Sequence, residues 1–213
     1  MDTARSPLRR AAGLVALIFG SLLVLNACGS DNTRHQTTVP TTPVVTTLPL
    51  SPALNGVASL QLPATPEGIV ALLSQLPSEI AGKQRNASSE AASPDRYTAE
   101  YGEARGGVGP PLRLVVLNVA TGDFFPKDWT GARMVDEMAK GGDWEVTGSG
   151  KDGSVAWVRY VTTESGGGAS FDVYAIHWAQ GDSPWVFGIV ADSAQNADAF
   201  LAAFVASAQK AYR

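Results

Sequence analysis

Hydrophobic positions along this chain follow three different rhythms. Ala11 to Leu25 is one unbroken run without charge. Gly29 to about Leu54 shows no period at all: Thr33, Thr37, Thr38, Thr41, Thr42, Thr46 and Thr47 alternate with Pro40, Pro43, Pro49 and Pro52. From Leu60 onward, helical and strand periods take turns in short blocks. Ile69, Leu72, Leu73 and Leu76 recur at helical spacing behind Thr65, an N-cap residue, and Pro66, suited to the first helical position; Pro77 closes the element. Ser78 to Arg85 reads as a strand. Tyr97, Ala99 and Tyr101 alternate with polar residues as a half-buried strand does, and Leu112 to Ala120 reads as a central strand ended by Thr121-Gly122-Asp123. Asp128 is expected to cap a second helix through Lys140, with Met134, Val135 and Met138 inward and Gly141 as terminator.

Four more strands are expected in quick succession, at Asp143 to Thr147, Val155 to Thr162, Ser170 to Ala179 and Trp185 to Ala191. Gly148 to Gly153, Glu164 to Gly168 and Gln180 to Pro184 separate them, and connections this short join antiparallel neighbours. Asp192 or Ser193 then caps a last helix, whose stripe is Ala197, Phe200, Leu201, Phe204, Val205 and Ala208. This order predicts an α+β fold: a mostly antiparallel sheet of about six to seven strands with three helices packed against it. Residues 60–213 form one such domain, long enough to bury about 70% of its unfolded surface without metal or disulfide. The threonine- and proline-rich segment before it is expected to be an extended tether, spanning up to ~80 Å at ~3.1 Å per residue.

The apolar run is too short for a bilayer span. As a helix it reaches ~22 Å against a hydrocarbon core of ~30 Å. Arg5, Arg9 and Arg10 precede it and small residues end it, the layout of a secretory signal peptide over residues 1–27. Leu25-Asn26-Ala27-Cys28 follows, and it resembles the lipobox of bacterial lipoprotein precursors. Leu25, Ala27 and Cys28 match that pattern; Asn26 departs from its small or apolar second position. The resemblance implies cleavage before Cys28, lipid on the Cys28 sulfur, and residues 28–59 as the lipidated tether. The protein would then sit on the outer face of the cell membrane. A second resemblance lies at the other end. Trp185-Val186-Phe187-Gly188-Ile189-Val190-Ala191-Asp192 leading into an amphipathic C-terminal helix looks like the ending of PsbP-like α/β envelope domains. That resemblance implies a binding or accessory module and no enzyme.

Charge and composition narrow the chemistry. The chain carries −4 overall, and its first 27 residues carry +2, which leaves −6 for the remainder. Without a basic footprint, nucleic acid is not an expected partner. Cys28 is the only cysteine, so an internal disulfide and a thiolate zinc site are both excluded. Gly148-Ser149-Gly150-Lys151-Asp152 lacks the spacing of a phosphate loop and is expected to be a hairpin loop; Gly106-Gly107-Val108-Gly109-Pro110-Pro111 has no helix behind it. Nothing in the chain asks for a cofactor.

Among candidate catalytic groups, His177 stands mid-strand on the face of Phe171, Val173 and Ala175, and no Gly-x-Ser-x-Gly elbow accompanies it. The carboxylates at Asp136-Glu137, Glu100/Glu103 and Asp95 read as solvated faces. The aromatic set carries more. Trp157, Tyr160, Phe171, Tyr174, Trp178, Trp185 and Phe187 fall on three successive strands in both alternation phases. Either they fill a core, or Trp157, Tyr160, Tyr174, Trp178, Trp185 and Phe187 line an apolar contact face. That face would take another envelope protein or a small apolar ligand. A structural envelope protein without ligand, and a hydrolase built on converging carboxylates, are the alternatives.

Overall fold

The structure, a computed structural model, describes residues 56–87, 90, 92–102, 112–121, 125–166 and 169–211. The apolar run, Cys28, the tether up to residue 55, Glu103 and the Gly106–Pro111 tract lie outside them; the last four residues of the expected tether, 56–59, are described, and Val57 among them is buried in the core. The elements are α1 (Pro66–Ser74), β1 (Glu79–Ile80), β2 (Lys83–Gln84), β3 (Ala92–Ser93), β4 (Arg96–Tyr101) and β5 (Leu112–Asn118), then α2 (Gly131–Met138). After these come β6 (Glu145–Asp152), β7 (Val155–Gly166), β8 (Ala169–Gln180), β9 (Trp185–Ala191) and α3 (Ala194–Ala211). Residues 56–58 add one helical turn. β3 to β9 form a single antiparallel sheet in the order β3-β4-β5-β9-β8-β7-β6, and β1 pairs with β2 apart from it. The expected α+β class and strand number hold.

β5 explains the layering. Both of its alternation phases are apolar, which a strand tolerates only when each face is covered. Leu112, Leu114 and Val116 join a cluster with Ile69, Leu72 and Leu73 of α1 and Phe200, Leu201 and Phe204 of α3. Val115 and Leu117 join Met134, Val135 and Met138 of α2 on the other side. The sheet is therefore the middle of three layers. β9 is buried at all seven positions for the same reason: it lies between β5 and β8 with helices on both faces.

Four local expectations are changed or narrowed. Ser78 to Arg85 is a hairpin, because Ala81 and Gly82 both take positive φ (52° and 73°), the pair of left-handed residues that turns two strands back tightly. α2 is capped by Thr130, whose hydroxyl accepts from Arg133 N–H at 3.2 Å, and it ends at Met138. Trp129, buried against Phe125, separates Asp128 from the helix, and Asp128 instead pairs with Arg133 at 3.4 Å. Of the two candidate caps for α3, Ser193 does the capping, accepting from Asn196 N–H at 3.2 Å, while Asp192 meets Lys83 at 2.7 Å. The fourth is β6, which continues past a register shift between Val146 and Gly148 and on through Gly150 to Asp152. A Cβ on either glycine would stand 3.4 or 3.2 Å from the Trp157 ring, so the tryptophan covers two glycines that the sequence presents as loop.

The chain reaches α1 through a pinned segment. The carboxamide of Gln180, at the end of β8, accepts from Leu62 N–H and donates to Leu60 C=O, both at 2.9 Å. Beside it, Trp185 Nε1–H donates to Ala64 C=O at 3.0 Å. The side-chain amide thus acts as one rung of a ladder for a segment that has no strand of its own.

Candidate functional site

The six aromatics expected to share one contact face are divided by the sheet. Trp157, Trp178, Trp185 and Phe187 are buried on the α1/α3 side, Tyr160 is buried on the α2 side, and Tyr174 is half-buried. Trp178 stacks on Phe187 at 5.8 Å and meets Phe204 of α3 edge-on at 5.2 Å; Tyr97 covers Trp185 at 5.9 Å. Five of the six are thus core, and their presence in both phases reflects two cores. Covering helices on each face are the physical reason. Val70, half exposed on α1, is the only large hydrophobic side chain exposed among the described residues.

His177 is fully buried on the α2 face. Its ring lies parallel to Tyr160 at 5.4 Å, and Trp144 closes on Tyr160 from outside at 5.6 Å. Burial lowers the imidazole to about 3, so it is neutral at physiological pH. The same burial raises the Tyr160 phenol. An imidazole sealed in this way has no exposed substrate to serve as a base.

Charged groups gather elsewhere on that face. α2 is eight residues long and lies over β7, β8 and β9. Alternation puts Arg96, Thr98 and Glu100 of β4 and Arg113 of β5 on the α2 side of the neighbouring strands, with Glu164 of β7 on the same face. Glu100 and Arg113 are register partners, and Arg113 Nε meets Glu100 Oε1 at 2.5 Å with both side chains about 15% exposed (14% and 15%). Glu100 is therefore a half-buried ion-pair partner, where a solvated carboxylate was expected. Burial raises the Glu164 carboxyl, and Arg113 opposes that shift. The Arg96 guanidinium is lowered first by burial and next by the charge of Arg113, while Glu100 and Asp95 oppose the shift. Sequence reasoning passed over Arg96 and Arg113. The available signal was a single charge inside the apolar run Leu112-Arg113-Leu114-Val115-Val116, since a central strand keeps a charge only when something across from it answers.

The remaining carboxylates do not converge. Asp136 pairs with Lys151 at 2.8 Å and Glu137 with Lys140 at 2.6 Å, both on solvated surface as expected, and Asp95 accepts from Ser93 at 2.5 Å. No group of three or more histidine, cysteine, aspartate or glutamate side chains able to hold a metal occurs among the described residues. Comparison with protein-family models, with curated proteins and with solved structures finds no match to this chain.

Proposed function

We propose that the protein is an extracytoplasmic lipoprotein, held on the outer face of the cell membrane by lipid on Cys28, whose domain is a non-catalytic binding or accessory module of the envelope. The observation that carries this reading is the run Ala11 to Leu25 leading directly into Leu25-Asn26-Ala27-Cys28, with the chain's sole cysteine at the cut. The fold is compatible with it, because both hydrophobic clusters are built from described residues between Val57 and Ala208. No helix among the described residues is long and apolar enough to cross a membrane. Two acyl chains, at ~0.8 kcal/mol per buried methylene, hold a protein stably where one is marginal.

The module half of the reading rests on what the side chains do. His177 is sealed and neutral, and Glu100, Asp136 and Glu137 are each occupied by a cation. These facts weigh against the carboxylate hydrolase. The burial of Trp157, Tyr160, Trp178, Trp185 and Phe187 weighs against a small apolar ligand as well. A polar ligand or a polar partner surface fits this domain better.

Cys28→Ser tests the anchor. The substituted chain is expected to lose lipid labelling and either to stay uncut or to leave the membrane fraction. Membrane retention after confirmed removal of residues 1–27 would overturn the reading.

A further inference from the structure

We propose that residues 56–64 form an arm that two copies of this chain exchange, each arm docking on the other copy at the end of the sheet where β8 turns into β9. The segment is a unit apart from the rest of the fold. Its helical turn closes on itself: Leu60 N–H donates to Val57 C=O at 3.0 Å, and the Ser59 hydroxyl donates to Gly56 C=O at 2.7 Å. Among the described residues no backbone hydrogen bond joins residues 56–64 to a strand or to α1, α2 or α3. What holds the segment is the Gln180 carboxamide and the Trp185 indole, 118 to 121 positions along the chain, at Leu60, Leu62 and Ala64. Val57, Leu60 and Leu62 add apolar burial in the α1/α3 cluster. Gly56 permits a close approach there, since a Cβ on it would stand 2.9 Å from Val205 Cγ1.

The connection to α1 is stiff and extended. Leu62 and Thr65 each precede a proline, which confines them to extended backbone, and Thr65 takes φ −121° and ψ 153°. Pro63 fixes its own φ. Such a connection projects the arm from α1 and lets it turn chiefly at Ala64, which is exposed. Gln180, Trp185 and Val205 belong to the body of the domain and stand identically in a second copy. A second copy's arm therefore meets the same carboxamide, the same indole and the same apolar wall, and only the connection around Ala64 changes conformation. Opening the arm gives up three hydrogen bonds and the burial of Val57, Leu60 and Leu62; exchange restores them all, against the entropy of association. The balance between monomer and dimer is then set by the local concentration of copies, which attachment to one membrane face would raise. Only this last effect rests on the proposed anchor.

The test uses the full chain, purified in detergent, as a mixture of an unlabelled and an isotope-labelled population. Both carry a benzophenone amino acid in place of Gln61, an exposed position between the buried Leu60 and Leu62. The mixture is warmed to just below its Tm, cooled and irradiated, and the crosslinked peptides are weighed. Crosslinks that join the arm of one isotope to residues around Gln180 and Trp185 of the other are expected, in a share that rises with protein concentration. With Gln180→Ala in the labelled population alone, crosslinks from unlabelled arms to labelled bodies should fall at least ~5-fold, whereas the reverse direction keeps its yield. If that variant does not fold, the mixture without it decides alone. Same-isotope crosslinks only, mixed crosslinks scattered away from the β8–β9 end, or equal loss in both directions would each overturn the exchange. None of these readings depends on Cys28, so the dimer and the anchor fail separately.

Discussion

Burial keeps the His177 imidazole neutral down to about pH 3, and that has a measurable consequence. In the unfolded chain the same group takes up a proton near pH 6.5. Its folded pKa is depressed, so the unfolded state binds more protons between those values, and stability is whole above pH 6.5 and falls as pH drops below it. The slope is about 1.4 kcal/mol per pH unit, or about 2 kcal/mol between pH 6.5 and 5. Glu164, raised by burial, works in the opposite direction, so the histidine contribution is isolated by comparison with His177→Leu. Urea denaturation at pH 7.5 and pH 5 should show a steeper acid loss in wild type than in the variant; parallel losses would mean that His177 is not sealed. Strand position and face for this residue were readable from its alternation with Val173 and Ala175. Its burial was not, because Tyr160 and Trp144, which close over it, come from parts of the chain that no local pattern links to it. The same holds for Arg113, whose answer in Glu100 becomes visible only once β4 and β5 are in register.

Elements were most legible where a period ran unopposed, and least where one side chain on another strand decided the outcome. The α3 stripe from Ala197 to Ala208 is buried as its helical spacing predicts. Thr65 caps α1 as expected, accepting from Gly68 N–H at 3.2 Å. β6 was hidden because Gly148 and Gly150 look like loop until Trp157 is laid across them. α2 shows a similar dependence at its first residue. A Cβ on Gly131 would stand 2.5 Å from the Trp185 carbonyl oxygen and 2.9 Å from Ala179 Cβ, and the Gly131 N–H donates to Ser183 C=O at 2.8 Å. Neither obstacle is a flexible side-chain end. Gly131→Ala, a favourable change by helix propensity, is therefore expected to destabilise the domain by about 2–3 kcal/mol, read as a lower urea midpoint at unchanged m-value. A neutral or raised midpoint would show that α2 can shift off the β8–β9 turn.

For the molecule as a whole, the α+β class and the hairpin succession β6 to β9 followed from turn chemistry, whereas the three-layer arrangement did not. Apolar residues in both phases of β5, β8 and β9 admit either an exposed face or a second covering layer, and the eight-residue α2 supplies that layer for only part of the sheet. The split of the aromatic set between two cores has the same origin. The segment held by Gln180 was invisible as well, since a glutamine at a strand end carries no mark of the backbone it will grip. Gln180→Ala should cost about 1–2 kcal/mol for its two lost bonds and speed hydrogen exchange at Leu62 N–H at least 10-fold, with strand amides such as Leu114 unaffected. Unchanged exchange at Leu62 would mean that the Trp185 bond to Ala64 suffices by itself. A load drawn along the chain from the N-terminal side meets these three side-chain bonds before it meets any ladder of the sheet. Residues 60–64, held by those bonds and by the buried Leu60 and Leu62, are thus expected to act as a mechanical fuse, detaching and lengthening the slack in the line before the seven strands lose their register.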